Sequence, residues 1–347
     1  MKIDKINIDL KFPPVLVAEI SGNHGGKLSN ALKLVRKASQ NGADFIKLQT
    51  YQADKLTLNL AKPGFIIKDK KSIWKKKKLF DLYKKGETKK EWHYKIFNEA
   101  KKYKVGCFTS IFDENDIEFL EKLKVPAYKI ASFECLHFPL IEKVIKTKKP
   151  ILISTGLCTS EEIDELVKLL KRKKCKNYLL LKCTSSYPAL ASDLNLNLIG
   201  DMRKKYKCEI GYSDHTIGFD AAIGAIHHGA SLIEKHVSLN NKIGIDAKFS
   251  LEVEKLSLLK KAINNAFISK GNNIYGPTKN ELPNLKFRRS IYAARDIKKG
   301  DKFSKFNLRI IRPGLGMQPK YYYSLIGRRS QSDIKFGNPI KMKNVKK

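Results

Sequence analysis

The sequence predicts an α/β fold, in which a closed (β/α)8 barrel is followed by a small β-rich domain. Eight short runs rich in aliphatic and β-branched residues each precede a stretch with helical periodicity, and all eight lie before about residue 270. Strands and helices that alternate in this number are typical of a closed barrel. An open, doubly wound sheet is the alternative, although the sequence contains no G-x-G-x-x-G motif that would support it.

The helices between the predicted strands carry recognisable start signals and apolar stripes. After the fifth strand, Thr159 and Glu162 form a capping box. An apolar stripe then runs from Ile163 to Leu170 at helical spacing. An insert after the second strand, at about residues 51 to 87, is long enough to cover the barrel mouth. The predicted strands are Val15–Ile20, Asp44–Gln49, Gly106–Ser110, Ala127–Ser132, Pro150–Ser154, Asn177–Cys183, Glu209–Ser213 and Ser231–His236.

The pattern changes after about residue 270, where Asn, Gly and Pro become frequent. The last part of the chain contains short strands and turns, and its Asp296-Ile-Lys-Lys-Gly300 is echoed by Asp333-Ile-Lys-Phe-Gly337. We therefore expect a barrel domain over residues 1–270, a linker over 271–287 and a small domain over 288–347.

The composition points to a soluble, cytoplasmic protein. No stretch approaches the roughly 18 consecutive apolar residues of a membrane span, and the amino terminus lacks an export signal, so we expect no membrane partner. The six cysteines are scattered without C-x-x-C spacing, which predicts reduced thiols.

A net charge of +35 raises the question of a nucleic-acid partner. The lysines, however, occur in runs, mostly on the polar faces of predicted helices and without interleaved aromatic residues. We therefore expect a solvated, lysine-rich surface and no nucleic-acid partner. A basic nucleic-acid-binding protein remains the alternative that is not an enzyme.

Polar residues collect at the carboxyl ends of all eight predicted strands, which meet at one mouth in a barrel. Period-two alternation places Lys47 with Gln49, and Glu234 with His236, on shared faces. The strand-end set is Glu19, Asn23, His24, Lys47, Gln49, Thr109, Ser110, Lys129, Ser132, Glu134, Ser154, Thr155, Lys182, Thr184, Ser185, Tyr187, Ser213, Asp214, His215, Glu234, Lys235 and His236.

The residue types in this set suggest an anion site beside a metal. Lysines with several small hydroxyl groups suit a phosphate and a carboxylate. The two histidines, His215 and His236, suit a divalent transition metal that acts as a Lewis acid. For Lys129, Lys182 and Lys235 the competing interpretation is a rim charge paired with a glutamate.

With these residues assembled, the chain closely resembles the sialic acid synthase family, whose members condense phosphoenolpyruvate with an N-acetylated sugar. Within the family it is most similar to the members that make pseudaminic acid, and the relatives that make N-acetylneuraminic or legionaminic acid are the alternatives. The last 60 residues resemble the SAF (antifreeze-like) domain that ends these enzymes. The motifs that carry the resemblance are AEISGNHGG (18–26), GADFIKLQTY (42–51), AYKIASFE (127–134), STG (154–156), LKCTSSYP (181–188), GYSDHTIG (211–218), IEKH (233–236), RRSIY (288–292) and RPGLGMQPKYY (312–322).

The resemblance implies a role for each matching residue. His215 and His236 would hold a divalent metal, typically Mn²⁺. Our mechanistic hypothesis is that Glu134 or the metal helps water to add, and the alternative role for Glu134 is to pair with Lys129. The resemblance also implies a domain-swapped homodimer, in which Arg312 of one subunit reaches the sugar in the other. The phosphoenolpyruvate site would be Lys47, Ser110, Lys129, Ser132, Ser154, Ser185 and Ser213, and the sugar would face Glu19, Gln49, Tyr187 and Asp246.

The chain also departs from its relatives in two loops. Where many have a proline after two hydroxyl residues, this chain has Thr109-Ser110-Ile111, which leaves open the hydroxyl that contacts phosphate. Ser185 stands where some relatives have asparagine. A second enzymatic interpretation, a metal-independent aldolase that forms a Schiff base on a strand-end lysine, also fits the residue types.

Overall fold

The computed structural model describes residues 1–69 and 72–346, and the chain divides into two compact units. The first unit is Met1–Gly271 and the second is Asn272–Lys347. Residues 70 and 71 of the predicted insert, and the last residue of the predicted small domain, lie outside the described residues. None of the helices in the described ranges is both long and apolar enough to cross a membrane.

The first unit is a closed barrel of eight parallel strands, as predicted. The strand β8 pairs with both β7 and β1, so the sheet has no open edge and the alternative of a doubly wound sheet is wrong. A short strand, Leu251–Glu252, pairs in parallel with the carboxyl end of β8. The barrel strands are β1 Val15–Glu19, β2 Phe45–Thr50, β3 Gly106–Ile111, β4 Tyr128–Ile130, β5 Ile151–Ser154, β6 Tyr178–Cys183, β7 Glu209–Asp214 and β8 Leu232–Ser238.

All eight predicted strands agree with the structure to within two residues at each end, and the fourth and eighth differ most. The prediction for the fourth strand, Ala127–Ser132, is too long, because a 3₁₀ turn begins at Ser132 and a backbone hydrogen bond from Glu134 to Ala131 bends the chain there. This turn brings Ser132 and Glu134 back over the mouth. The eighth strand continues two residues beyond its predicted end at His236.

Helices surround the barrel, and one of them confirms the clearest start signal in the sequence. The Thr159 side chain accepts a hydrogen bond from the Glu162 amide, and Glu162 accepts one from Thr159, at the start of Ser160–Arg172. Ile163 and Leu170 are buried, as the predicted stripe requires. The helices are α1 Leu28–Gln40, α2 Ala53–Leu56, α3 Leu79–Gly86, α4 Lys90–Lys102, α5 Ile117–Lys122, α6 Phe138–Lys146, α7 Ser160–Arg172, α8 Asn197–Tyr206, α9 Asp220–His227, α10 Leu256–Ser269 and α11 Tyr322–Leu325.

The barrel interior has an apolar floor. Alternate strand residues point inward, and those near the amino ends of the strands are aliphatic or aromatic. An amino-terminal hairpin, in which Lys2–Ile3 pairs antiparallel with Ile6–Asn7, closes the same end of the barrel. Ile3 and Ile8 are fully buried among the floor side chains. The floor consists of Ile3, Ile8, Val15, Val17, Phe45, Phe108, Ala127, Leu152, Leu179, Leu181 and Leu232. The polar inward-facing residues therefore lie directly above this apolar floor.

The second unit is small and β-rich, and its two related sequence segments bond to each other. Ser290–Ala293 pairs antiparallel with Leu308–Ile311. Ile297 and Ile334 exchange backbone hydrogen bonds of 2.8 Å. In the same reciprocal manner, the Asp296 carboxylate accepts from the Phe336 amide and the Asp333 carboxylate accepts from the Lys299 amide, each at 2.7 Å. The two similar segments, which begin at Asp296 and Asp333, are therefore related by a local two-fold arrangement.

We expect Ile3→Ala to lower the free energy of unfolding by about 2–4 kcal/mol, because a floor closed on all sides cannot collapse into the cavity. Ile6→Ala is the matched control, since Ile6 belongs to the same hairpin but is only half-buried. Urea unfolding followed by tryptophan fluorescence measures both. Equal losses for the two variants would contradict the idea that the hairpin fills the barrel floor.

Candidate active site

A layer of polar side chains lies directly above the apolar floor. The residues come from different strands and share the inward-facing register of the barrel, as in the neighbouring pairs Glu19–Lys47 and Ser213–Glu234. None of the layer is more than 3% exposed. Its members are Glu19, Lys47, Ser110, Lys129, Ser154, Ser213 and Glu234.

Lys47 links two carboxylates in the centre of this layer. Its ammonium group is ion-paired with Glu19 and lies 3.6 Å from Oε1 of Glu234. It also donates a 3.0 Å hydrogen bond to Oγ of Ser110. The Ser213 hydroxyl in turn donates to Oε1 of Glu234 at 2.9 Å. Two of the serines are therefore oriented by buried charges.

The charges of this network depend on burial and on each other. Burial raises the pKa of Glu19 to about 7, although Lys47 opposes the shift. Burial disfavours charge on Lys47, but Glu19 and Glu234 outweigh it and raise the Lys47 pKa. Burial also disfavours charge on Glu234, yet Lys129 and Lys47 hold its pKa below the ordinary value. Glu234 is the carboxylate that stays ionised most readily.

Lys129 is a buried cation with hydroxyl and carbonyl partners. Its Nζ donates to Oγ of Ser154 at 2.7 Å and to the carbonyl of Ile130 at 3.2 Å. Within residues 1–69 and 72–346, no carboxylate oxygen lies within 4.0 Å of this ammonium group. Burial lowers the pKa of Lys129. An anion placed here would supply the partner that the protein does not.

Ser132 and Ser185 are held close together at Gly156. The Gly156 amide donates to Oγ of Ser132 at 3.2 Å. A Cβ atom at Gly156 would lie 2.4 Å from Oγ of Ser185 and 2.7 Å from Oγ of Ser132, so only glycine fits. The loops after β4 and β6 therefore bring two small hydroxyl groups together at Gly156, in the loop after β5.

Two lysines of the strand-end set do not belong to this layer. Lys235 is fully buried on the outer side of the barrel and is paired with Asp214, with Nζ 2.9 Å from Oδ2. The alternation that places Glu234 with His236 turns Lys235 away from the mouth, so Lys235 is neither an anion-binding lysine nor a rim charge paired with a glutamate. Lys182 is paired in register with Tyr212, whose ring packs in the outer core, and its Nζ donates to Oγ1 of Thr184.

The two histidines meet at the carboxyl ends of β7 and β8, with ring centroids 5.3 Å apart. His215 donates from Nδ1 to the carbonyl of Thr184 at 2.9 Å, which leaves its Nε2 free to bind. Sγ of Cys183 lies 3.7 Å from the same Nδ1. Nδ1 of His236 is buried, lies 3.7 Å from Oδ2 of Asp246 and has no hydrogen-bond partner among the described residues.

The electrostatic surroundings differ for the two imidazoles. Burial, together with the nearby charge of His215, lowers the pKa of His236 well below its ordinary value, so this ring stays neutral. Burial also acts against charge on His215, but Cys183 outweighs it and raises the His215 pKa. Within the described ranges, no group of three or more His, Cys, Asp or Glu side chains is arranged to hold a metal ion.

Aromatic side chains form a wall beside the histidines. The Tyr187 ring lies 4.5 Å from the His215 ring, and the Phe249 ring lies 5.1 Å from the His236 ring. Trp74, from the insert, lies 5.6 Å from Tyr187 and 6.4 Å from Phe249. The wall shields one side of the histidine pair from water.

The loop after β8 is tied to both the insert and the loop after β1. Trp74 Nε1 donates to the carbonyl of Ile245 at 3.0 Å, so the insert reaches this loop. Oδ2 of Asp246 accepts a short hydrogen bond from Ser21, and the Asp246 amide donates to Oδ1 of Asn23 at 3.2 Å. Burial raises the pKa of Asp246 to about 6.

Glu134 lies at the end of the 3₁₀ turn after β4. Burial raises its pKa to about 7, although the charge of Lys129 opposes the shift. Its Oε2 is buried and has no hydrogen-bond partner in the part of the chain that the structure describes. The carboxyl group is therefore poised to exchange a proton near neutral pH.

Three residues of the predicted set are placed differently from the rest. Gln49 is half-buried and follows Lys47 on the inward face of β2. His24 packs against Trp92, with ring centroids 5.4 Å apart, and its Nδ1 accepts from the Gly26 amide. Arg312 belongs to the second unit, where it is exposed next to the strand Leu308–Ile311.

Sequence reasoning did not single out three groups that touch the site. Cys183 follows Leu181 on the inward face of β6, so period-two alternation could have identified it. The Thr184 carbonyl, which orients His215, and Phe249, which packs on His236, act through loop geometry. No sequence pattern marks such contacts.

Comparisons with known proteins agree with this fold. The sequence matches the NeuB family over residues 34–275 and the SAF domain over residues 288–346. It is 41% identical to a pseudaminic acid synthase of Campylobacter jejuni and 36% identical to one of Helicobacter pylori, covering 98% and 96% of this chain and 98% of each relative. The crystal structure of an N-acetylneuraminic acid synthetase of Leptospira borgpetersenii superimposes with a TM-score of 0.73 at 28% identity, covering 83% of this chain and 95% of that one. The chain belongs to the NeuB family and ends in a SAF domain.

Proposed function

We propose that this chain is a pseudaminic acid synthase. It would condense phosphoenolpyruvate with an open-chain 2,4-diacetamido-trideoxy hexose to give a nonulosonic acid and phosphate. The observation that carries the proposal is the buried Lys129, which donates to Oγ of Ser154 and has no carboxylate oxygen within 4.0 Å among the described residues. It lies on the inward face of a barrel whose last two strands end in the histidine pair. Relatives named as pseudaminic acid synthases match at 41% and 36% identity, against 28% for the N-acetylneuraminic acid synthetase.

Phosphoenolpyruvate would bind to the polar layer above the floor. It carries a phosphate and a carboxylate, and Lys129 and Lys47 are the two inward-facing buried cations there. Short hydroxyl side chains can donate to anionic oxygens without crowding them. The hydroxyls available to the substrate are those of Ser110, Ser132, Ser154, Ser185 and Ser213.

His215 and His236 would hold a divalent metal, for which we propose Mn²⁺. The residues fit this role, because His236 stays neutral and keeps a buried Nδ1 with no hydrogen-bond partner among the described residues, and Nε2 of His215 is left free. When bound, the metal would supply Lewis-acid polarisation of the sugar aldehyde. Water and substrate oxygens would complete its coordination.

The sugar would lie between the histidines and the aromatic wall. Glu19, Gln49, Tyr187 and Asp246 are the side chains proposed to face it. Arg312 would contact an acetamido group from the SAF domain of a second subunit, so we propose a domain-swapped homodimer. A cytoplasmic location is proposed as well, because phosphoenolpyruvate is a product of central metabolism.

In the reaction, the π electrons of phosphoenolpyruvate form a bond from its methylene carbon to the aldehyde carbon of the sugar, and the π pair of the aldehyde C=O moves to its oxygen. That oxygen becomes a hydroxyl with one proton of the water that adds later, and the other proton of that water leaves with the phosphate. Positive charge develops at C2, and Glu234 and Glu19 lie in the buried layer to offset it. Water adds at C2 while Glu134 accepts its proton. The tetrahedral intermediate then loses phosphate by cleavage of the C–O bond, and Lys129 stabilises the leaving phosphate.

A Schiff-base aldolase is the second candidate, and one observation favours it. Burial lowers the pKa of Lys129, and a neutral lysine can attack a carbonyl group. Such an enzyme would be trapped by borohydride in the presence of pyruvate and would keep its activity in a chelator. Neither result is expected from the synthase.

We expect rapid phosphate release when the purified protein is mixed with phosphoenolpyruvate, Mn²⁺ and the 2,4-diacetamido-trideoxy hexose that leads to pseudaminic acid. N-acetylmannosamine and the epimeric diacetamido hexose that leads to legionaminic acid should give at least about tenfold lower kcat/KM, because one misplaced polar group in the pocket costs about this much or more. A chelator should abolish the reaction. Preference for another sugar would overturn the choice of product, and no release with any sugar would overturn the synthase.

We expect the rate of phosphate release to fall as the pH drops below about 7, because Glu134 must be ionised to accept a proton and burial raises its pKa to about 7. Glu134→Gln should lower kcat by about 100-fold or more, with the KM for phosphoenolpyruvate changed little. The remaining activity of that variant should no longer fall near pH 7. Near-normal turnover, or an unchanged acid limb in the pH profile, would exclude Glu134 as the base.

A further inference from the structure

The outer face of β7 and β8 carries a buried ion pair directly behind the histidines. Asp214 and Lys235 are both 0% exposed, and they are paired in register across the two strands. Lys235 Nζ lies 2.9 Å from Oδ2 of Asp214. Neither side chain belongs to the polar layer inside the barrel, and neither has a part in the reaction proposed above.

The pair is linked to the chain on both sides of His215. The other carboxylate oxygen of Asp214, Oδ1, accepts from the amide of Thr216 at 2.9 Å and from its hydroxyl at 2.7 Å. Lys235 Nζ also donates to the carbonyl of Thr216 at 2.6 Å. Two hydrogen bonds therefore join Lys235, which precedes His236, to the residues that flank His215, and two more join those flanking residues to each other.

Stability alone is a poor explanation for this arrangement. Taking two charges out of water costs several kcal/mol per ion, and apolar residues of similar volume often serve a core as well or better. The network does hold part of the backbone in place: it fixes the segment from Asp214 to Thr216 relative to β8. The Thr184 carbonyl holds the His215 ring.

We propose that Asp214, Lys235 and Thr216 are positioning residues that set the spacing of His215 and His236 for a divalent metal. The proposal rests on the metal-binding role proposed for the two histidines. It adds that their separation, with ring centroids 5.3 Å apart, is held from the far side of the strands. Groups that orient metal ligands in this way are commonly worth about 10- to 100-fold in metal affinity.

The test is the affinity of the full-length protein for Mn²⁺ in the absence of substrates. Free Mn²⁺ is measured by its electron paramagnetic resonance signal during titration. The variant is the double substitution Asp214→Asn with Lys235→Met, which removes both charges together and so avoids leaving one of them buried alone. We expect Mn²⁺ to bind about 10- to 100-fold more weakly to this variant.

A matched control lies at the opposite end of the same strand. Glu209 begins β7 and forms an ion pair with Arg203, with Nη1 3.0 Å from Oε2. The double substitution Glu209→Gln with Arg203→Met removes a comparable pair far along the strand from His215. It should leave the Mn²⁺ affinity within about twofold of the unaltered protein, even where it lowers the unfolding temperature.

Thr216→Val provides a second measurement that does not depend on the folding of the double variant. Valine keeps the shape of threonine but loses the hydroxyl that donates to Asp214, so we expect a smaller, few-fold weakening of Mn²⁺ binding. Unchanged Mn²⁺ affinity in a folded Asp214→Asn/Lys235→Met protein, or in Thr216→Val, would overturn the proposal. Phosphate release by the unaltered protein tests the synthase separately, and lack of Mn²⁺ binding by that protein would overturn the metal assignment and this proposal together.

Discussion

The ion pairs of Lys47 with Glu19 and Glu234 are the interactions on which the rest of the barrel interior depends. A charge taken out of water into the barrel is tolerated only with close partners, and each of these three groups has at least one. The serines next to them take their orientation from the same charges, since Lys47 donates to Ser110 and Glu234 accepts from Ser213. The substrate would therefore meet hydroxyls that are already aligned, which avoids reorganisation during the reaction.

Dry surroundings strengthen this network and shift the acids near it. The floor below excludes water, and the aromatic wall covers one side of the histidines. In such surroundings electrostatic interactions are stronger than in water. The same burial raises the pKa of Glu134 to about 7 and that of Asp246 to about 6. The same environment would therefore strengthen the binding of an anion, and it gives Glu134 a pKa near neutral pH.

The sequence was sufficient to predict the barrel and the residues that share a face within each strand. It was not sufficient to predict every contact that these residues make in the loops after the strands. Alternation correctly placed Glu234 with His236, because a strand has only two faces. The same rule turns Lys235, which lies between Glu234 and His236, away from the mouth, and Lys235 faces outward to Asp214. The Thr184 carbonyl beside His215 was not predictable, because a backbone group contacts its partner through the fold of a loop and leaves no residue signature.

The strong positive charge of the chain is a property of its surface and says little about its substrate. The formal charge is +35, yet the inward-facing cations Lys47 and Lys129 are set against the carboxylates of Glu19 and Glu234. A general positive field would attract any anion. Discrimination needs a cation whose partner is missing, and within the described residues Lys129 has no carboxylate at ion-pair distance. Because Lys129 has no carboxylate in direct contact among these residues, an anion bound at this lysine would give it the close partner that Glu19 and Glu234 do not.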